Sequence, residues 1–544
     1  MHGSRSIVSR VVLSMVWLGI CQAQNPTATV TIDANSTLKT VDKHVYGSNV
    51  EWFHDGNFIW NAAAGANNTL LTARAKALGV SLLRFPGGTL ADYYHWRNGI
   101  GPIASRPISP HGMDAGSSAN NFGLHEFMNF CRSTGADPML QVNVVTGTAS
   151  EAADWVNYSN ASQNTERAAN GSAAPFGISS WEVGNEQYLP NWPGTLSQSI
   201  LTADEYVSRL IAYTNAMKAA DPTIKVGAVG GKNFGRYALM ADDNWNATLL
   251  QKAAPYIDFL SVHNAYGPMV LQPDAQSFWD VYGAMLAFPK LVGDNLATIN
   301  RQIVQYAPAY ANKIKIGVTE WGPLFDVSPS NPYVGHAKTL GSGVFTASMV
   351  KTFLLADRVT LANLFQLTSP LFLGSINWDG VVKPSYFAMQ MYANYFGTTL
   401  VSTLVDSPTY NSVAVGTVDA VQGVPYLEAI SSVSADRKKV YVMVINKNWS
   451  SGITTTIQLK NFAARSSGTA HVMTAPSIDA NNGNDLPAIP GVVWAQQRTA
   501  PVNSMFNLGA PGTVAIVDSS FAVSSTIRYT AQAMSVSVLE FTAR

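Results

Sequence analysis

The stretch Ser179-Ser180-Trp181-Glu182-Val183-Gly184-Asn185-Glu186 opens as a short run with Trp181 and Val183 and closes on Gly-Asn-Glu. A strand buried in a parallel sheet reads this way: a few apolar residues, then a polar or glycine-rich loop. Seven other stretches share the pattern, at Val45–Trp52, Ser81–Gly87, Pro138–Val145, Ile224–Gly230, Phe259–Tyr266, Ile314–Trp321 and Leu361–Leu367. Helix-like segments lie between most of them. Asn68–Leu78 places Leu70, Leu71, Ala75 and Leu78 on one expected face. Thr202–Ala220 opens with Thr202 as N-cap and Glu205 three residues later, and stops before Asp221-Pro222. Strand and helix alternating eight times predicts a (β/α)₈ barrel of the α/β class.

After about residue 397 the texture changes to short Val/Thr/Tyr/Ile runs between Gly, Asn and Ser turns: Val440–Asn446, Thr454–Leu459, Thr513–Val517 and Ala533–Phe541. These predict a C-terminal antiparallel β-sandwich over 398–544. Residues 24–40 hold one strand, Thr27–Asp33, expected to join that sandwich, and 41–397 are expected to form the barrel. The loop at Asn481–Pro490 is polar and expected to be exposed.

In such a barrel, function sits at the C-terminal strand ends. The fourth strand ends in Glu186 and the seventh in Glu320, both in aromatic company. Two carboxylates facing across a barrel mouth are what glycosidic cleavage requires: one protonates the leaving oxygen, the other attacks the anomeric carbon or activates water. The bland alternative is a pair of surface carboxylates or a structural ion pair, but carboxylates ending strands this apolar are costly unless used. The remaining strand ends carry Asn49, Glu51 and Trp52; Arg84, Thr89 and Trp96; Asn143; Asn185; His263, Asn264 and Tyr266; Trp321; and Gln366. A ring of hydroxyl, amide and aromatic groups suits a sugar, with hydroxyls to bond and C–H faces to stack on. Arg84 reads either as the holder of a site carboxylate or as a structural arginine of the barrel floor.

Composition narrows the alternatives. The 34 Lys+Arg against 34 Asp+Glu leave no net charge, which argues against a nucleic-acid binder. At 47% hydrophobic, the 544 residues hold ample material for a core. Two cysteines exclude a disulfide scaffold and a cysteine zinc site. No His-Glu-x-x-His occurs, and His95 and His263 lie far apart without an evident third ligand, so no metal is expected. No phosphate loop and no serine-hydrolase elbow stands at a strand–helix junction. Residues 1–23 read as a signal peptide: Arg5 and Arg10, an apolar Val11–Ile20, then Cys21-Gln22-Ala23. That run of about ten residues is too short to span a bilayer. A soluble, secreted protein with Cys131 in its core is the expectation.

Several motifs resemble those of the α-L-arabinofuranosidases of glycoside hydrolase family 51. They are Leu83-Arg84-Phe85-Pro86-Gly87-Gly88, Tyr94-His95-Trp96, Gly99-Ile100-Gly101-Pro102 and Thr146 to Tyr158. Gly184-Asn185-Glu186, Ser261-Val262-His263, Thr319-Glu320-Trp321, Pro384-Ser385-Tyr386 and Ser535 to Glu540 follow in order. The resemblance implies a retaining hydrolase without a cofactor. Glu186 would be acid/base and Glu320 nucleophile, with Glu51, Asn185, Tyr266 and Gln366 holding the sugar or the nucleophile. It also implies that a hexamer is possible. The sequence departs from the family at Thr89, where Asn is common, at Thr319, where Asp is usual, and at Asn98, where an acidic residue is usual. The first change removes a sugar-binding amide and leaves the terminal sugar open. The expectation is an exo-acting arabinofuranosidase on side chains of plant wall polysaccharides, with a bell-shaped rate profile at mildly acidic pH. An endo-β-glycanase or another exo-glycosidase (galactofuranosidase, xylosidase, glucuronidase) on the same barrel stays open, as does a non-catalytic carbohydrate-binding protein.

Overall fold

The computed structural model describes residues 25–111, 116–189, 200–231, 244–263, 266–270, 277–325, 333–369, 373–483 and 514–544. The leader-like residues 1–23, Asn264 and most of the 481–490 loop lie outside these; Asn481 itself is buried, not exposed.

Eight parallel strands close on themselves: Gly47–Asn49, Leu82–Phe85, Asp137–Val142, Ser180–Val183, Lys225–Val229, Phe259–Ser261, Lys315–Leu324 and Val359–Leu364. Each pairs with the next, and the last pairs with the first. The first is shorter than its apolar run suggests, because Lys43–Tyr46 forms a 3₁₀ turn in which Val45 and Tyr46 reach the core as helical residues. The sixth likewise stops at Ser261.

Strand periodicity builds the barrel interior in layers. Leu82, Met139, Phe259 and Leu361 form a small apolar cluster at one level. The Phe259 ring lies against Gly227, where an added Cβ would sit 2.3 Å from it. Two residues further along the same strands stand Arg84, Gln141, Ser261 and Asn363, all buried and polar. Glu182 and Thr319 join them at this level, with neither exposed to solvent. The apolar layer thus floors the barrel, and the polar layer carries whatever stands at the strand ends above it.

The helices pack outside. Thr69–Leu78 is capped by Asn68 and buries Leu71, Ala75 and Leu78. Leu70, placed on that face from sequence, points outward and is 46% exposed, since the i, i+4, i+7 stripe at 71, 75 and 78 leaves it off the buried line. Ala203–Ala220 carries the expected capping box of Thr202 and Glu205. Cys131 is buried in Leu124–Thr134. No helix among the described residues is long and apolar enough to cross a membrane.

The C-terminal β domain is built on a nine-stranded sheet. The N-terminal strand, Thr27–Thr40, lies inside it, antiparallel to Thr399–Asp406 and parallel to Ile453–Lys460. That parallel pair departs from the antiparallel expectation. Val30, Ile32, Val442, Val444, Ile457, Leu539 and Phe541 share its apolar core. A buried ion pair joins the two parts: Lys447 Nζ lies 2.6 Å from Glu428, donates to the Leu286 carbonyl, and leaves Glu428 to accept from Ser348 of the barrel.

Candidate active site

Glu186 stands three residues past the fourth strand, Glu320 within the seventh. Glu186 has φ of +55°, the left-handed region that a non-glycine residue rarely adopts. The turn aims its carboxylate across the mouth. Its Oε1 lies 3.0 Å from His263 Nδ1, and the same nitrogen is 3.7 Å from Glu320 Oε2. Carboxylate oxygens of Glu186 and Glu320 come within 4.8 Å of each other.

Glu320 is held from two sides. Arg84 Nη1 donates to its Oε1 at 2.8 Å and the Tyr266 hydroxyl donates to its Oε2 at 2.8 Å. Arg84 has no solvent exposure. Its Nε donates to Glu182, its Nη1 also to Asn49, and its Nη2 to Asn185 at 2.9 Å. Burial works against the guanidinium, but the charges of Glu182 and Glu320 outweigh it and hold its pKa above the ordinary value. Of the two sequence readings of Arg84, the holder of a site carboxylate is the one found. Its place among the substrate-contacting candidates is corrected, because the side chain lies beneath the carboxylates with its bonds to Glu182, Glu320, Asn49 and Asn185. Burial also works against the His263 imidazolium, yet the charge of Glu320 and the bond to Glu186 raise its pKa overall.

Beside Glu320, Glu51 accepts a hydrogen bond from Asn57 Nδ2 at 2.9 Å, and Asn57 also donates to Gln366. Burial, reinforced by the charge of Glu320, pushes the Glu51 carboxyl up to about 8. Gly87 lies against Glu51: an added Cβ would be 2.9 Å from its Cγ, and φ is +86°. The next glycine, Gly88, passes beside Glu320 and leads to half-buried Thr89. Glu51, Asn185, Tyr266, His263 and Gln366 are therefore gathered around the two carboxylates.

Four candidates stand elsewhere. Trp321 is fully buried against Phe353 of the helix outside the barrel. Trp52 is buried on Tyr94, and Trp96 stacks on Trp155 and donates to the Glu151 carbonyl. Asn143 bonds the loop that follows it, accepting from the Val145 and Thr146 amides. These side chains pack or brace the mouth rather than line it.

Four residues of the site carry no candidate role in the sequence reading: Asn57, Glu182, Ser261 and Thr319. Glu182 carried a signal, a charge in the middle of a buried strand, which demands a partner such as Arg84. Glu186, His263 and Glu320 each offer one metal-ligating atom within 4.8 Å of the others. The His263–Glu186 hydrogen bond and the Arg84 cation against Glu320 account for that closeness without an ion.

A closed (β/α)₈ barrel with facing carboxylates at its fourth and seventh strands is the arrangement of a glycoside hydrolase. An α-L-arabinofuranosidase domain model matches residues 74–256, and an α-L-arabinofuranosidase C-terminal domain model matches 319–508. The chain is 26% identical over 450 residues to a probable α-L-arabinofuranosidase C of Aspergillus clavatus, covering 78% of this chain and 85% of that one. It is 26% identical over 466 residues to an intracellular exo-α-(1→5)-L-arabinofuranosidase of Halalkalibacterium halodurans, covering 80% and 88%. The solved GH51 α-L-arabinofuranosidase of Thermotoga petrophila RKU-1 superposes with a TM-score of 0.78 at 28% identity, covering 94% of this chain and all of that one. The chain belongs to the α-L-arabinofuranosidase family of glycoside hydrolases, family 51. A relative named as intracellular gives no support to the expected secretion.

Proposed function

We propose that the protein is a retaining, exo-acting α-L-arabinofuranosidase that releases terminal arabinose from side chains of plant wall polysaccharides. One observation supports the retaining reading above the rest: oxygens of Glu186 and Glu320 lie within 4.8 Å. Retaining enzymes hold the two carboxyl groups about 5–5.5 Å apart, whereas inverting ones need about 6.5–9.5 Å to seat a water. In this reading Glu320, kept as an oriented carboxylate by Arg84 and Tyr266, attacks the anomeric carbon. Glu186 gives its proton to the departing oxygen as that bond breaks. Glu186 then takes a proton from water, which attacks the same carbon, frees Glu320 and restores the starting configuration. Glu51, neutral below about pH 8, can both donate to and accept from a sugar hydroxyl. Gln366 stands beside Glu51, bonded to the same Asn57, while Asn185 is held by Arg84 and Gln141. Exo action and arabinose come from the names of the relatives.

Initial rates on nitrophenyl α-L-arabinofuranoside, β-D-galactofuranoside, β-D-xyloside, β-D-glucoside and β-D-glucuronide test the sugar, with Glu320→Ala as control. Arabinofuranoside turnover, lost in the control, is the expected result. Preference for another glycoside overturns the sugar and keeps the carboxylates. Chain-internal products from arabinan overturn exo action. Glu186→Ala should be rescued by azide, giving a glycosyl azide of retained configuration; an inverted product would sink the retaining mechanism. Export rests on residues 1–23 alone, and N-terminal sequencing of protein recovered from medium tests it: a start near Gln24 is expected.

A further inference from the structure

Beneath the two carboxylates runs a hydrogen-bonded chain that the proposed mechanism does not use. Glu182 has its Oε2 on Arg84 and its Oε1 against the hydroxyls of both Ser261 and Thr319. These two hydroxyls also touch each other. Thr319 Oγ1 lies 2.8 Å from His263 Nε2, and His263 Nδ1 lies 3.0 Å from Glu186 Oε1. Every member below Glu186 is buried.

We infer that Thr319 is a positioning residue that fixes the tautomer of His263, so that the proton of the acid/base is held between His263 Nδ1 and Glu186 Oε1. The argument is one of donors and acceptors. Glu182, paired with Arg84, is an ionised carboxylate and only accepts. Bonds to a charged acceptor are the strong ones, so the hydroxyl protons of Ser261 and Thr319 run toward it. Either Thr319 donates to Glu182 directly, or it donates to Ser261 and Ser261 donates to Glu182. In both arrangements Thr319 has spent its only proton and faces His263 as an acceptor. Nε2 of His263 therefore carries a hydrogen whether the ring is neutral or cationic. One proton then remains for the 3.0 Å gap between Nδ1 and Glu186. If that proton leaves, the lone pair of Nδ1 faces a carboxylate with nothing between them. The pair resists losing it, and the acid stays loaded to higher pH.

Other charges face the ring as well. Glu182 lies 4.0 Å from Nε2, Glu320 lies 3.7 Å from Nδ1, and Arg84 and Tyr266 stand behind Glu320. None of them is removed by a change at Thr319. Without its hydroxyl the neutral ring is free to carry its hydrogen on Nδ1 and donate it to ionised Glu186. That stabilises the unloaded pair.

The inference rests on Glu186 being the acid/base. The experiment is the pH dependence of kcat/KM for wild type, Thr319→Ser, Thr319→Val and Thr319→Ala, on nitrophenyl arabinofuranoside and on an arabino-oligosaccharide. Thr319→Val should move the alkaline limb to lower pH by roughly one unit, the worth of one hydrogen bond. It should lose more rate on the oligosaccharide, whose leaving group needs the proton. Thr319→Ser should restore the wild-type limb. If valine does not fold there, Thr319→Ala carries the same expectation. An alkaline limb that stays in place or moves upward in the hydroxyl-free variants overturns the inference. Glu186→Ala separates the two ideas. If it loses the alkaline limb and is rescued by azide while the Thr319 limbs coincide, only the tautomer lock falls; if it keeps full activity, both fall.

Discussion

Replacing Arg84 by lysine keeps the charge beneath the site and removes the planar fork. In the wild type one guanidinium reaches Glu182, Glu320, Asn49 and Asn185 at once. A single ammonium on a flexible stem cannot span the two carboxylates in that geometry. The variant should keep Glu182 and release Glu320, which then depends on Tyr266 alone. A hydrogen bond to a charged group contributes about 1.5–3 kcal/mol. If the whole of one such bond is needed to orient the attacking carboxylate, the rate falls by roughly 10- to 150-fold. The loss should sit in kcat, because Arg84 has no exposed surface with which to touch a sugar. Melting temperature should fall too, since Asn49 or Asn185 also loses a buried partner. Steady-state kinetics on the nitrophenyl arabinofuranoside, with thermal melts alongside, read both effects. A lysine variant with wild-type kcat refutes the claim that the fork aims Glu320. A tenfold rise in KM at unchanged kcat, about 1.4 kcal/mol of lost binding, would mean that the side chain reaches substrate after all. Methionine at 84 is a poorer test, because two buried carboxylates would be left without a cation and folding itself should suffer.

Two further predictions concern stability. Glu51 has its pKa raised from 4.5 to about 8, so the unfolded chain releases this proton first and stability falls as pH climbs from about 4.5 through 8. Glu51→Gln lacks that term, which is on the order of a few kcal/mol, and its melting temperature relative to wild type should be higher at pH 8 than at pH 5; parallel curves would show that Glu51 is ionised in the fold. Lys447→Met removes the cation that bonds Glu428 at the junction of barrel and β domain, leaving Lys351 and Ser348 as its partners. Denaturant unfolding should show a loss of roughly 2–4 kcal/mol, partly recovered in the double variant with Glu428→Gln, and no loss would mean that the pair does not tie the two parts together.

Alternation along a strand, together with one break in it on the seventh strand, explains the legible and the illegible parts of this site. Glu186 and Glu320 could be read from sequence because a carboxylate at the end of an apolar run is costly unless it is used. The same reasoning, applied to every residue at a strand end, also gathered Trp321. Side chains on a strand alternate between faces, so the register that turns Glu320 into the barrel sends Trp321 outward to Phe353. Strict alternation would also send Thr319 outward, but the pairing with the eighth strand shifts register between Val318 and Trp321. The neighbours Thr319 and Glu320 therefore both reach the barrel interior, and Thr319 joins Arg84, Glu182 and Ser261 in the layer beneath, which the reading of strand ends passed over. Asn57 was hidden for a different reason. It reaches Glu51 through a left-handed turn at His54–Phe58, where five consecutive residues have positive φ and no pattern of apolar residues marks the bend. Thr319 was visible only as a departure from Asp in the family motif, with no role attached. Its role depends on His263 and Glu182 arriving from two other strands. Spacing in one chain cannot encode such a meeting, which exists only once the barrel closes and strands four, six and seven face a common axis.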